Sequence, residues 1–321
     1  MMTNPVRTLC IAAAVIATPC LHAKESFPGR SVTIVVPYSA GGVTDYFARQ
    51  IGSKLSRMWG QPVVVDNRAG GGTIIGTQLV SKAPADGYTL LFTSYGFTAN
   101  QVLRKNLPYA TTAFRAVALL GSSHNVLLVN NRLKGKTLNA LIADAKATPG
   151  SLTLASSGLA SSPHIGAEFF ARKTGIAFTH VPYKGQGPAM ADLMAGVVDG
   201  MFDGMSSYAQ VKGGQVAAVA IAAPRRHPAA PEIPTFQELG VDLVTGTWFG
   251  MLAPAATPDA IVNKINADLR LALQDEEFKA QITKTGVSVS TSSPEGFGQF
   301  LHQESDKLRS LVDQGVQIDL N

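Results

Sequence analysis

The chain has 321 residues, 45% hydrophobic and 15% charged, a composition that excludes a disordered or membrane-embedded protein and leaves room for two domains with separate cores. Its formal charge is +5, yet no Lys/Arg run exceeds Arg225-Arg226 and no basic stripe is interleaved with aromatics. Nucleic acid is therefore not an expected partner.

Met1 to Ala23 holds one positive residue (Arg7), an apolar run from Leu9 to Ala17, a helix-breaking Pro19 and the small Ala23. This is the order of a secretory signal peptide, and the run is too short to span a bilayer. Cleavage after Ala23 is expected, with a cut after Ala17 as the alternative. Cys10 and Cys20, the only cysteines, both fall in this segment, so the mature chain would have no disulfide and no thiolate metal ligand. Loss of Arg7 leaves 26 basic against 22 acidic residues, or +4, which attracts anions weakly.

Beyond it, apolar runs of strand length alternate with helical periodicity: Val32–Val36, a helix near Thr44–Met58, Val63–Val65, a helix near Thr73–Lys82, and Thr89–Thr93. A second series runs Asn125–Val129, helix Leu138–Ala147, Leu152–Ala155, helix Pro163–Thr174, Phe178–Val181, helix Pro188–Ala195, Gly200–Phe202 and Val216–Ala222. Alternation of this kind predicts parallel α/β sheets. A proline-rich stretch from Pro224 to Pro234 then leads to Thr247–Leu252, and two long helices, Pro258–Gln274 and Pro294–Gln314, flank an apolar Val287–Val289. We read signal residues 1–23, a first lobe of 24–122 plus 250–321, and a second lobe of 123–249. The two crossings between lobes are candidate hinges, and the cleft between the lobes is the natural ligand site.

Four strand-to-helix loops carry the chemistry: Tyr38-Ser39-Ala40-Gly41-Gly42-Val43-Thr44-Asp45 and Arg68 to Thr73 in the first lobe, then Ser156 to Pro163 and Tyr183-Lys184-Gly185-Gln186-Gly187-Pro188 in the second. Glycines let backbone approach a ligand, hydroxyls add donors, and helix N-termini offer unpaired N–H groups to an anion. The candidate ligand-binding residues on these loops are Tyr38, Ser39, Ala40, Gly41, Gly42, Thr44, Asp45, Gly71, Thr73, Ser157, Ser161, Tyr183, Lys184, Gly185 and Gly187; His164 at a helix start and Asp203 at a strand end are added, and Tyr95 enters with the resemblance given below. No metal or cofactor is required, and the inferred ligand is a small carboxylate. Asp45 either caps its helix or accepts a proton from the ligand, and Asp203 has the same two readings.

Other chemistry fails on spacing. Gly135-Lys136-Thr137 lacks the glycine a phosphate loop needs at Asn130, the dinucleotide fingerprint from Gly70 fails at Ile75, and no Gly-x-Ser-x-Gly elbow occurs. A hydrolase or isomerase using His164 or Asp45 is an alternative function, as is a sensory receptor.

The sequence resembles the Bug-type extracytoplasmic solute receptors of tripartite tricarboxylate transporters. The resemblance rests on Val35-Val36-Pro37-Tyr38-Ser39-Ala40-Gly41-Gly42 with Thr44-Asp45, Val65-Asp66-Asn67-Arg68 with Gly70–Gly72, Ala85-Asp86-Gly87-Tyr88, Val181-Pro182-Tyr183-Lys184-Gly185, Met201-Phe202-Asp203 and Trp248-Phe249-Gly250. It implies a type II periplasmic-binding-protein fold with two lobes, each a mainly parallel sheet flanked by helices. It also implies a periplasmic monomer that grips a carboxylate with loops Tyr38–Thr44 and Tyr183–Pro188 and delivers it to a membrane permease. Tyr95 and Phe97, with Tyr38, would form an apolar wall favouring an aromatic or unsaturated acid; packing against Leu103 or Tyr109 is the competing reading.

Overall fold

The computed structural model describes residues 27–315; the expected signal segment lies outside them. In chain order the first lobe is β1 (Val32–Val36), α1 (Val43–Trp59), β2 (Val63–Asn67), a 3₁₀ turn into α2 (Ile74–Ser81), β3 (Thr89–Ser94), α3 (Gly96–Leu103) and β4 (Phe114–His124). The second is β5 (Val126–Val129), α4 (Leu138–Ala147), β6 (Thr153–Ser156), α5 (Ser162–Thr174), β7 (Thr179–Pro182), α6 (Gln186–Ala195), β8 (Gly200–Asp203), α7 (Tyr208–Lys212) and β9 (Ala217–Ile221). The chain returns on β10 (Gly246–Pro254) and ends with α8 (Asp259–Ala272), α9 (Glu276–Thr283), β11 (Ser288–Val289) and α10 (Pro294–Asp313).

β1 is the sequence Val-Thr-Ile-Val-Val with four of its five side chains fully buried, as expected of a strand covered by helices on both faces. On one face, Phe47, Ala48, Ile51 and Leu55 of α1 recur at helical spacing and join Val32, Ile34 and Val36 in a core with α8 and α9. On the other, Val35 and Leu91 pack with Trp248, Phe297 and Leu308. Ala160 and Ile165 of the second lobe belong to this same cluster, so the two lobes share apolar contact.

The strands form a six-stranded sheet of order β11-β4-β10-β3-β1-β2 and a five-stranded sheet of order β7-β6-β8-β5-β9. The two-lobed α/β design is as the sequence indicates, but the sheets are mixed, not mainly parallel. Parallel pairing is confined to β1–β3 and to β6–β8, where helices return the chain. Strands that arrive at or leave the crossings, β4, β5, β9 and β10, pair antiparallel. The first sheet's ladder runs to His124 and restarts at Gly246, so the expected boundaries at 122/123 and 249/250 fall inside β4 and β10.

The crossing is hydrogen-bonded throughout. Asn125 N–H donates to Thr245 O (3.0 Å), Ala222 N–H to Asn125 O (2.7 Å) and Thr245 N–H to Ala222 O (3.0 Å). The buried Asn125 amide also donates to Ser162 O (3.2 Å) and accepts from Ser162 Oγ (3.2 Å), which ties the start of α5 to both crossing strands. At Gly246 a Cβ would stand 2.3 Å from Ser123 O, so only glycine allows this approach.

Candidate functional site

Three strands in each lobe end in a loop that opens a helix, β1, β2 and β3 in the first and β6, β7 and β8 in the second. Open α/β sheets bind ligands at such carboxyl ends. The Ser39–Gly42 loop is exposed, and Gly42, at the N-cap of α1, leaves the 17-residue helix with no side-chain cap. α6 begins in the same way: Gly185 is its N-cap at φ 123, with no side-chain cap and no acidic residue in the first turn. Both helices therefore present N–H groups and the positive end of a dipole.

The Asp45 carboxylate is engaged within the first lobe. It is the third residue of α1 and its carboxylate accepts from Gly41 N–H (2.9 Å), Arg49 Nε (3.1 Å) and Asn67 Nδ2 (2.9 Å). Burial opposes its charge, but these donors outweigh burial and hold the carboxyl below its usual range. Asn67 also donates to Tyr38 O (3.1 Å) and accepts from Arg49 (2.7 Å), so one amide braces the loops after β1 and β2. Asn100 does the same for the next pair, donating to Gly72 O (2.6 Å) and Thr73 Oγ1 (2.9 Å). Thr73 sits at φ 83, a left-handed conformation costing about 1–3 kcal/mol for a non-glycine residue. Ala160, at φ 57 after β6, is the other such residue among those described.

Of the three aromatics expected to form a wall, Tyr95 and Phe97 are buried and Tyr38 is partly buried. Tyr38 turns its phenol toward the third loop, where it accepts from Ser94 Oγ (2.8 Å), and burial raises its pKa. Phe97 is buried edge-on against Phe114 at 5.3 Å, because α3 starts at Gly96 and its first turn points Phe97 into the core. Tyr95 is also buried, in the cluster that holds Trp248, Phe297 and Ala160 of the Ser156–Pro163 loop. Leu103 and Phe114 both pack against the cluster that holds Tyr95 and Phe97, and Tyr109 closes on the Phe114 ring at 5.8 Å.

In the second lobe Ser161 caps α5, accepting from His164 N–H at 3.5 Å and donating to Gly158 O at 2.7 Å. His164 Nδ1 accepts from Ala160 N–H (3.1 Å), its Nε2 lies 3.5 Å from Glu168, and its ring stacks on His180 at 3.8 Å. Burial, and then the neighbouring His164, push His180 down to about 4. His180 contacts Ser156 Oγ at 2.7 Å, but that hydroxyl is buried and donates to Gly158 O. Tyr183 donates to Asp192 at 2.6 Å, and burial followed by that carboxylate raises it to about 12. Asp203 accepts from Gln186 Nε2 (2.6 Å), Gly204 N–H (2.8 Å) and Ser207 Oγ. Its burial pushes the carboxyl up to about 6.

The candidate residues thus divide in two. Tyr38, Asp45, Thr73, Ser161, His164, Tyr183 and Asp203 spend their polar atoms on the protein. Ser39 and Thr44 on one lobe, with Ser157 and Lys184 on the other, make no side-chain hydrogen bond among the described residues. Gly41, Gly42, Gly185 and Gly187 border open space: a Cβ at any of them would meet nothing within 4 Å. Ala40 and Gly71 are exposed. Among the described residues no group of three His, Cys, Asp or Glu side chains is placed to hold a metal, and no helix is long and apolar enough to cross a membrane.

The tripartite tricarboxylate transporter family receptor model matches residues 47–316. The chain belongs to that family. This receptor is 34% identical to the protein BugT of Bordetella pertussis over 317 residues, 96% of this chain and 97% of that one. Its fold matches a Rhodopseudomonas palustris protein solved with adipate (TM-score 0.84, 32% identity, covering 89% of this chain and 97% of that one). It matches equally MatC of the same organism with bound malate (TM-score 0.82, 31% identity, 89% and 100%). Asn67, Asn100, Asn125 and Gln186, the amides that brace the receptor's loops, were not among the expected site residues.

Proposed function

We propose that this receptor, exported by cleavage of residues 1–23 and monomeric, closes its two lobes on a small dicarboxylate and presents it to a membrane permease. The observation that carries the reading is that each lobe has a helix N-terminus without a side-chain cap, α1 in the first and α6 in the second. The neighbouring loops carry polar side chains with no hydrogen-bond partner among the described residues: Ser39 and Thr44 at α1, Lys184 before α6 and Ser157 after β6. A hydrogen bond to a charged group contributes about 1.5–3 kcal/mol, so two carboxylates held at opposite jaws would favour the closed state over the open one. The adipate and malate in related structures are dicarboxylates, in accord with two anion-binding ends. With Phe97 and Tyr95 packed inward, an aromatic acid has no wall to meet at the jaws.

Catalysis is not favoured by the geometry. His164 Nδ1 is taken by Ala160 N–H and its ring stacks on His180, while the Asp45 carboxylate is held by Gly41, Arg49 and Asn67, so neither group is free to act as a base on a ligand. Calorimetric titration with adipate, malate, citrate and benzoate tests the proposal. Stoichiometric binding of a dicarboxylate without turnover is expected; a preference for benzoate, or conversion of the ligand, would overturn it.

A further inference from the structure

A cavity of about 730 Å³ lies beside the crossing, between α5 of the second lobe and α10 of the first. This is within the range of about 300–1,000 Å³ that holds small ligands. None of residues 38–45, 70–73 or 183–187 lines it; of the four loops only Ser156–Pro163 reaches it, through Ser162, so it lies away from the α1 and α6 starts. Its apolar surface comes from Ile165, Phe169, Trp248 and Phe300, and it includes Tyr95.

The polar groups on this surface define a single uncompensated charge. Lys307 pairs with Glu304 at 2.6 Å, and Lys173 faces Asp242 at 3.5 Å. Burial and the neighbouring His227 hold His124 below its usual pKa, so it adds no charge at neutral pH. Arg172 alone of the lining cations has no hydrogen-bond or ionic partner among the described residues. The Tyr95 hydroxyl likewise has no partner among them, although the residue is only 7% exposed. Trp248 Nε1 and Ser123 Oγ, in the same lining, are buried with no hydrogen-bond partner among the described residues, and a buried polar atom without a partner carries a desolvation cost that a ligand's polar group removes.

We propose that the α5–α10 cavity is a second binding site, which takes an amphipathic monoanion: an apolar body over Trp248, Phe169 and Phe300, with its anionic group held by Arg172 and its acceptor reached by the Tyr95 hydroxyl. Because α5 and α10 belong to different lobes, such a ligand bridges the lobes from outside the jaws. It offers a handle on closure that does not compete for the carboxylate site.

Trp248 makes this testable, since Trp59 is the chain's only other tryptophan. In a Trp59→Phe protein, titration with anilinonaphthalene sulfonate, an apolar monoanion, should give saturable energy transfer from Trp248 to the dye. Arg172→Glu should weaken binding by about tenfold or more, the scale of one charge-assisted contact. Tyr95→Phe should weaken it by a smaller factor, and Gly42→Val at the jaws should leave it unchanged. Circular dichroism and melting of each variant confirm its fold. Absence of saturable transfer, an affinity indifferent to Arg172→Glu, or equal loss in Gly42→Val would each overturn the proposal.

Discussion

The side-chain amide of Gln186 donates to the Asp203 carboxylate at 2.6 Å, joining the first turn of α6 to the end of β8. Asp203 therefore acts on the proposed ligand loop from behind, by holding the helix that the loop enters. Its carboxyl is raised to about 6 by burial, so the folded state binds its proton more tightly than the unfolded chain. The associated stability is fully present below the unfolded carboxyl value and is lost as pH rises through about 6. In Asp203→Asn this contribution disappears. Urea unfolding should show wild type gaining on the variant as pH falls from 7 to 4, by on the order of 3 kcal/mol. A difference that does not change with pH would contradict the assignment.

Gly42 has extended backbone at φ −82 and ψ 171, and a Cβ there meets nothing within 4 Å. Gly42→Val should leave the melting temperature within a few degrees of wild type while reducing dicarboxylate affinity by about tenfold or more, because the added methyls stand in the approach to the α1 N-terminus. Calorimetry alongside thermal unfolding separates the two effects. Unchanged affinity would remove the first loop from the site.

Asp45→Asn should cost on the order of 2 kcal/mol at pH 7, since it exchanges a carboxylate with three donors for an amide. The group's pKa is depressed, so its contribution is present above the unfolded carboxyl value and fades as pH falls through the folded one. The penalty should therefore shrink on acidification. Affinities for malate, which bears a hydroxyl, and for adipate, which does not, should change by the same factor; selective loss for malate would restore Asp45 as a ligand reader.

Asn125→Ala removes the side-chain bonds that join α5 to the crossing and leaves Ser162 O without that donor. We expect a loss of about 2–3 kcal/mol in denaturant unfolding.

Local patterns made much of the fold readable. The run Val32–Val36 followed by Tyr38–Asp45 shows a buried strand, a turn and a helix within fourteen residues, and α1 begins at Val43, one residue from its expected start. β4 was missed because its eleven residues run almost directly into β5, with no turn signal to separate the two lobes. α3 and α9 are eight residues each, too short for a helical period to stand out. In the candidate site, the glycine-rich strand-to-helix loops were legible because backbone demands leave local marks. The direction of Tyr38, Tyr95 and Phe97 was not, since it depends on Ser94, Trp248 and Phe114 from elsewhere in the fold. The bracing amides are hidden for the same reason: Asn67 meets Asp45 22 residues away, and Asn125 meets Thr245 120 residues away.

The hydrogen-bonded junction at Asn125, Ala222 and Thr245 also bears on how the receptor releases its cargo. Two lobes on slack tethers could drift and tumble independently, and every degree of that freedom would be lost each time a ligand was enclosed. A ribbon pinned by three backbone bonds, with Gly246 pressed against Ser123, resists shear and stretch while still allowing bend and twist. Opening is thus steered along few coordinates, and a permease that pries the lobes apart need push in only one direction for the jaws to separate in register.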